Sequence, residues 1–507
     1  MLIFCACALS SIERIVSSDG GLRLSTRPAI EWRNGTCPEA GSLRVKHDER
    51  FQTVFGFGAS LLEAGAANLN ALPVAKQTEL LELLFGKTGA QLSALKTTML
   101  GNDFSTATHG RWTTYDDSPE DFELRNFSIA RDLGPDGSLS FLKRALGAGF
   151  DGTIQSYMDY PPDWMLDPGR ATLRADCYEV LALYMARYVQ AYRDQGVQLD
   201  FLECFNEPFD SYTELNADQL AVFLGGHVGP LFERLGLWPQ TKLTYGGQCS
   251  RESASRFVPA VLLDPAAARY MDVIAYHGYD CQFNCTDERQ HYDLIAQLAS
   301  REPNRPLWMT EVCYAYNGDD PNCTSAATLQ ECVDYPRNHS LAPPLPRRDF
   351  ADGATWGHRI VRELQAGASG WIYWNLLLDL SGGPFNLSPK HNDGPNNYQH
   401  PVIIADPGRG VFHTTGLFYF LAHFSKFVRP GAVRLGTREA ALPEGVSGVA
   451  FAAEAGGTVV QLVNRGTVEL PVTVCNGERV ASVNLPAMSI TTARWRQDRQ
   501  DRPGAIY

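Results

Sequence analysis

Hydrophobic and polar positions along this chain switch between two periods. Eight short, largely apolar runs read as buried strands, at residues 53–62, 94–100, 152–158, 199–205, 242–247, 272–279, 307–312 and 370–375. Most are separated by stretches of helical period. Residues 74–85 carry Leu and Ala on one face, and residues 177–194 repeat Leu, Tyr, Met and Val at i, i+3, i+4. Strand–helix alternation predicts parallel β/α units, and eight of them fit a closed (β/α)8 TIM barrel with insertions better than an open sheet. Beyond residue 430 the pattern changes. Short β-rich runs at 449–452, 458–463, 472–474 and 489–495 alternate with Gly and Pro turns, as in an antiparallel sheet. The stretch 21–50 is also strand-like. The expected fold is therefore α/β: a barrel over 51–430, with a β-sandwich side domain built from 21–50 and 431–496. Residues 1–20 form an N-terminal extension, and the charged residues 497–507 a tail.

Two of the eight runs end in a carboxylate. The fourth leads into Asn206-Glu207-Pro208, where Pro208 lacks the N–H needed to continue strand pairing. The seventh ends in Thr310-Glu311-Val312. The C-terminal tips of barrel strands are where catalytic side chains sit, and strands four and seven lie across the mouth from each other. Two carboxyl groups so placed are the minimal equipment for cleaving a glycosidic bond. Asn-Glu-Pro by itself is also a common turn after any strand, so the pair carries more weight than the tripeptide.

Composition narrows the setting. The chain has 507 residues, more than the ~250–300 that one core usually serves. Its net charge of −13 argues against non-specific nucleic-acid binding, which relies on clustered Lys and Arg. No apolar run reaches the ~20 residues of a membrane span. Met1-Leu-Ile-Phe-Cys-Ala-Cys-Ala-Leu9 resembles the back half of a signal peptide without its basic region, and reads as a truncated signal; a buried N-terminal strand is the alternative. There are 12 Cys, several of them clustered at Cys281, Cys285, Cys313, Cys323 and Cys332. No CxxC pair or zinc spacing is present, so disulfides are expected there rather than a metal. Asn-x-Ser/Thr sequons stand at Asn34, Asn126, Asn284, Asn322, Asn338 and Asn386. Their overlap with the Cys-rich stretch points to a secreted or lysosomal/vacuolar protein.

Taken in order, the motifs resemble glycoside hydrolase family 30, most closely its glucosylceramidase branch. Phe55-Gly-Phe-Gly58 matches the first-strand pattern. Asp103-Phe-Ser105, Thr114-Tyr-Asp-Asp117 and Asp121-Phe-Glu-Leu-Arg-Asn-Phe-Ser128 match a long family stretch. Asn206-Glu-Pro208, Thr310-Glu-Val-Cys313, Trp371-Ile-Tyr-Trp-Asn375 and His423-Phe-Ser-Lys-Phe427 follow in the family's order.

The resemblance implies a retaining mechanism, with Glu311 as nucleophile, Glu207 as acid/base, and no cofactor or metal. It implies that Asn206 hydrogen-bonds the sugar 2-OH, and that Asp103, Tyr279, Trp374 and Asn396 line the sugar site. Each has another reading. Asp103 also suits a helix cap or turn. Trp371 and Trp374 point to opposite faces of their strand, so one of them only packs. His277 reads as a core histidine and is left outside the catalytic set. Two departures bear on substrate. Asp159 stands where the family usually has a Trp, and Gly278 replaces the aromatic of a His-Trp-Tyr motif. The partners implied are a carbohydrate or glycolipid, with peripheral lipid contact, and no nucleic acid. The activity implied is cleavage of a glycosphingolipid or β-glycan. An endo-β-1,6-glucanase or galactanase is the alternative, and an inactive carbohydrate-binding relative a further one.

Overall fold

The structure, a computed structural model, describes residues 11–105, 114–168, 171–209, 213–280, 287–313, 349–380, 382–384, 400–453 and 456–496. The chain divides into two compact units. One comprises Gly56–Arg347 and Ala366–Thr414; the other comprises Met1–Phe55, Arg348–Gln365 and Thr415–Tyr507.

The first unit is the barrel. Its strands are Gly56–Ser60, Ala94–Thr98, Thr153–Tyr157, Phe201–Glu203, Lys242–Thr244, Ile274–His277, Leu307–Glu311 and Ala368–Tyr373. Each lies within or against one of the eight apolar runs of the sequence. Neighbours pair in parallel from the sixth strand through the eighth, on to the first and round to the fifth. Bridges between Leu243 and Met271 and between Gln248 and Tyr276 link the fifth and sixth strands and close the ring. Strands buried on both faces need near-continuous apolar sequence, which is why the runs were legible. Gly58 is required by crowding, since a Cβ there would lie 1.7 Å from the Ala94 carbonyl oxygen of the next strand. Inside the barrel, Phe201 and Trp308 pack with ring centroids 4.7 Å apart. A three-stranded sheet that the sequence pattern did not suggest (Leu377–Asp379, Ile403–Asp406, Val411–Thr414) follows the eighth strand.

The second unit is a ten-stranded sheet folded over one apolar core, which includes Trp32, Leu43, Leu435, Leu462, Val474, Val483 and Trp495. Ile12–Ser18 is one of its strands, pairing with Ser489–Arg496. Part of the region read as a leader-like extension is therefore built into the sheet, with Ile12 fully buried and Ile15 and Val16 nearly so. Val433–Ala440 and Arg479–Leu485 are further strands that the sequence reading passed over. The helices Asp349–Ala366 and Gly416–Phe427 group mainly with this unit. His423 on the latter bonds Thr492 Oγ1 at 2.6 Å and Ser17 Oγ at 3.0 Å. Burial pushes its pKa down to about 3, so it joins the helix to two strands as a neutral ring.

Cys37 and Cys475 form a disulfide across 438 residues of sequence, a pairing no local spacing announced. The expectation of disulfides in the Cys-rich stretch is corrected at Cys313, which is a buried free thiol. Cys281, Cys285, Cys323 and Cys332 lie outside the described residues. Among the described residues, no helix is long and apolar enough to cross a membrane.

One buried carboxyl of the barrel unit sets a pH dependence. Asp132 Oδ2 accepts hydrogen bonds from Tyr115 Oη at 2.5 Å and Tyr192 Oη at 2.7 Å. Burial raises the Asp132 pKa to about 7, against the two hydroxyls, which favour the ionised form. A carboxyl raised by folding favours the native state fully below its unfolded pKa, and that contribution is lost as pH rises through the folded value. Urea midpoints should therefore fall between about pH 4 and pH 7. Asp132→Asn keeps an oxygen for both tyrosines and should remove roughly 4 kcal/mol of that slope.

Candidate active site

Barrel strands present alternate side chains to the interior, so Gln155 with Tyr157, and Phe201 with Glu203, share inward faces. The lower positions are filled by Phe201 and Trp308. The upper ones are filled by ionisable groups.

Glu207 follows the fourth strand. The Asn206 N–H donates to the Met158 carbonyl (2.8 Å) and the Glu207 N–H to the Gly247 carbonyl (2.9 Å), so both neighbouring strands hold this backbone. Glu207 has φ 43° and Phe209 has φ 81°. Left-handed backbone at non-glycine residues costs on the order of 1–3 kcal/mol and collects at functional sites. Here Pro208 and the two strand contacts impose it.

Glu311 ends the seventh strand and is almost fully buried. Its Oε2 accepts from Lys96 Nζ at 2.9 Å, and its Oε1 from Tyr279 Oη at 3.1 Å. The Lys96 side chain is wholly buried, with its ammonium 4.0 Å from the Tyr157 ring centroid. Burial opposes the Lys96 charge, but Glu203, Glu311 and Asp159 together raise its pKa.

His277 lies between the glutamates. Its Nδ1 is 2.8 Å from Glu207 Oε1 and 3.8 Å from Glu311 Oε1, and its Nε2 is 3.6 Å from Glu203 Oε1. Burial works against a charged ring. The charge of Glu311 and the adjoining carboxylates of Glu203 and Glu207 outweigh it and bring the His277 pKa up to about 9, with Lys96 opposing. Glu203 itself is completely buried and accepts from Gln155 Nε2. Burial would raise its pKa, yet Lys96 first and His277 second hold it below the ordinary value. The sequence reading set His277 aside as core; the structure brings it against Glu207. Lys96 and Glu203 were missed altogether. Their signal was a lone charge at an inward position of an apolar strand.

The remaining predicted positions divide. Tyr279 touches Glu311 and lies 3.5 Å from Cys313 Sγ. Trp374 sets its ring edge-on to Tyr157 (5.9 Å) and Phe104 (6.1 Å), with the Lys96 ammonium 5.8 Å away. Trp371 is the packing partner, stacked with Tyr373. Asp159 is buried, and Tyr157 Oη donates to its Oδ2 at 3.4 Å. Burial, then the charges of Asp103, Glu311 and Glu207, push its pKa well above the carboxylate range despite Lys96. Asp103 is half-buried and close enough to contribute to that shift. Asn206 is buried, and its Oδ1 has no protein partner. Asn396 lies outside the described residues.

Glu207, His277 and Glu311 offer one ligand-type atom each, all within 4.8 Å of one another. A cation could be held by such a set, but the Lys96 ammonium on Glu311 already supplies positive charge there. Two carboxylates this close, one gripped by a cation and a phenol and the other on a strained turn, can act on opposite sides of one reacting carbon.

Models of known families match this chain along most of its length. The "Glycosyl hydrolase family 30 TIM-barrel domain" matches residues 54–327 and 346–428, and the "Glycosyl hydrolase family 30 beta sandwich domain" matches 431–493. The lysosomal acid glucosylceramidase of Mus musculus is 25% identical, over 97% of this chain and 90% of the mouse protein. An endo-1,6-beta-D-glucanase of Neurospora crassa is 26% identical, over 90% of this chain and 89% of its own. The crystal structure of SrfJ from Salmonella typhimurium superposes with a TM-score of 0.81 at 21% identity, covering 96% of this chain and 100% of that one.

Removing one partner of a buried ion pair leaves the other unpaired, typically at ~3–5 kcal/mol. Lys96→Met should lower stability to urea by about that amount at neutral pH, whereas Lys96→Arg, which keeps the charge, should lose less.

Proposed function

The chain belongs to glycosyl hydrolase family 30 and is a glycosidase, and from that premise we propose that Glu311 and Glu207 cleave a β-glycosidic bond by double displacement. The observation that carries this reading is the approach of their carboxylate oxygens to within 4.8 Å. Retaining enzymes hold their two carboxyl groups ~5–5.5 Å apart, and inverting ones ~6.5–9.5 Å to admit a water.

In the first step a Glu311 oxygen bonds to the anomeric carbon. The bond from that carbon to the leaving oxygen breaks as Glu207 gives that oxygen its proton. In the second, Glu207 takes a proton from water, the water oxygen bonds to the anomeric carbon, and the Glu311 carboxylate leaves. Lys96 and Tyr279 hold the two Glu311 oxygens and orient the nucleophile. Lys96 also stabilises the negative charge that returns to Glu311 in the second step. Asn206, Asp103, Trp374 and Asn396 are assigned to the sugar, Asn206 at the 2-OH.

The substrate is a glycosphingolipid or a β-glycan. Relatives of comparable similarity carry the names glucosylceramidase and endo-1,6-beta-D-glucanase. One observation favours a polar glycan and the endo-β-1,6-glucanase or galactanase reading: Asp159, a buried carboxyl, stands in place of an aromatic wall, exchanging stacking surface for hydrogen bonding. The Cys37–Cys475 disulfide and the exposed sequons Asn34 and Asn126 support a secretory or lysosomal route.

Glu311→Gln should lose essentially all turnover and resist labelling by a fluoro-glycoside that traps the covalent intermediate. Glu207→Ala should keep cleaving aryl glycosides with good leaving groups, and azide should restore its rate with a β-glycosyl azide as product. An α-azide would refute retention. A panel of aryl β-glucoside, galactoside, xyloside and fucoside with short β-1,6 oligomers identifies the sugar. Turnover of no member would favour an inactive carbohydrate-binding protein.

A further inference from the structure

Both ring nitrogens of His277 face carboxylates. Nδ1 meets Glu207 Oε1 at 2.8 Å, and Nε2 meets Glu203 Oε1 at 3.6 Å. Neither Nε2 nor that Glu203 oxygen has a hydrogen-bond partner, although both are buried, and their 3.6 Å separation is that of an ion pair. A neutral imidazole carries one N–H and can present it to only one of the two carboxylates; the imidazolium presents one to each. Glycine at 247 leaves the room for this arrangement. A Cβ there would lie 2.2 Å from Glu203 Oε1 and 2.6 Å from His277 Nε2.

The ring's state decides where the catalytic proton sits. If His277 carries hydrogen on Nδ1, Glu207 Oε1 must accept, so the proton of the Glu207 acid resides on Oε2 and is free for the leaving oxygen. If His277 were neutral with its hydrogen on Nε2, facing Glu203, Nδ1 would be an acceptor and would draw the Glu207 proton onto Oε1, away from substrate. The other charged and titratable groups facing the ring are Glu311 and Tyr279, with Lys96 opposing its charge from the second strand.

Resting on the acid role of Glu207, we propose that Glu203 is a positioning residue, whose buried carboxylate holds His277 as an imidazolium and thereby keeps the Glu207 proton on Oε2. Glu203 touches neither substrate nor the reacting atoms. His277 transfers no proton in the cycle; it fixes the orientation of the group that does.

The test compares kcat/KM, which reports the first chemical step, for phenyl and 2,4-dinitrophenyl β-glucosides, or the same aryl glycosides of whichever sugar the panel selects. A phenolate needs the acid's proton to leave; a dinitrophenolate does not. Glu203→Gln should lose at least ~10-fold more on the phenyl glycoside than on the dinitrophenyl one, as expected of general-acid effects. The alkaline limb of its phenyl-glycoside profile should move down by roughly one pH unit or more, because a neighbouring charge that held the imidazolium is gone. The ratio of the two substrates is internal to each sample, so partial misfolding cancels. Gly247→Ala, which displaces the Glu203–His277 pair without removing a charge, should show the same selectivity. Equal losses on both substrates, or an unmoved alkaline limb, overturn the proposal. Glu207→Ala is the control: if it lacks leaving-group selectivity, the acid assignment falls and this inference with it. If it shows selectivity and Glu203→Gln does not, this inference alone falls.

Discussion

Charge alternation in a dry place organises this barrel. Lys96, Glu311, His277 and Glu203 are buried where the strands converge, each within about 4 Å of a group of opposite charge. Any one of them alone would be expelled or neutralised in such surroundings. Together they bind one another, and the string can be ionised only because every member is present. The strands must then deliver four side chains from the second, fourth, sixth and seventh positions to one level. That fixes register and tilt more tightly than apolar packing could.

Glu207 stands at the end of this string rather than inside it. It is half-buried, held by one imidazole contact, on a backbone turned into the left-handed region. The contrast with Glu311 is one of mobility and access. The nucleophile is gripped at both oxygens and has only to meet a carbon. The acid/base has to face a leaving group and later a water, and is gripped at one oxygen only.

The strands of the barrel were legible because buried parallel strands write themselves as apolar runs; most runs overestimated their strand at its ends, and the eighth began two residues late. Glu207 and Glu311 were legible as candidates because each stands at the end of such a run. Lys96, Glu203 and His277 were not, since their meaning lies in contacts among residues far apart in sequence. A single charge in an apolar run looks like a blemish until the neighbouring strand is known. In the other unit, Val433–Ala440 was passed over because its half-exposed end carries Arg and Glu, and Ile12–Ser18 because a short apolar start looks like a leader. Asp159 and Gly278 were readable as departures from a family pattern, but the raised pKa of Asp159 follows only from its burial and the acids gathered around it.

The pairing of Ile12–Ser18 with Ser489–Arg496 has a consequence for the order of events during synthesis. Ile12–Ser18 can pair at once with Ser25–Ile30, but its second partner is made only when residues 489–496 are. All eight barrel strands are complete by Tyr373, so the barrel has its full complement while the sandwich still lacks most of its strands. For that interval the strand has only Ser25–Ile30 beside it, and its other edge is open, with apolar side chains that its final position will cover. Closure of the sheet waits for residues 489–496. Until those residues are made, that edge of the nascent chain is open to chaperones, or to the same edge of a neighbouring chain.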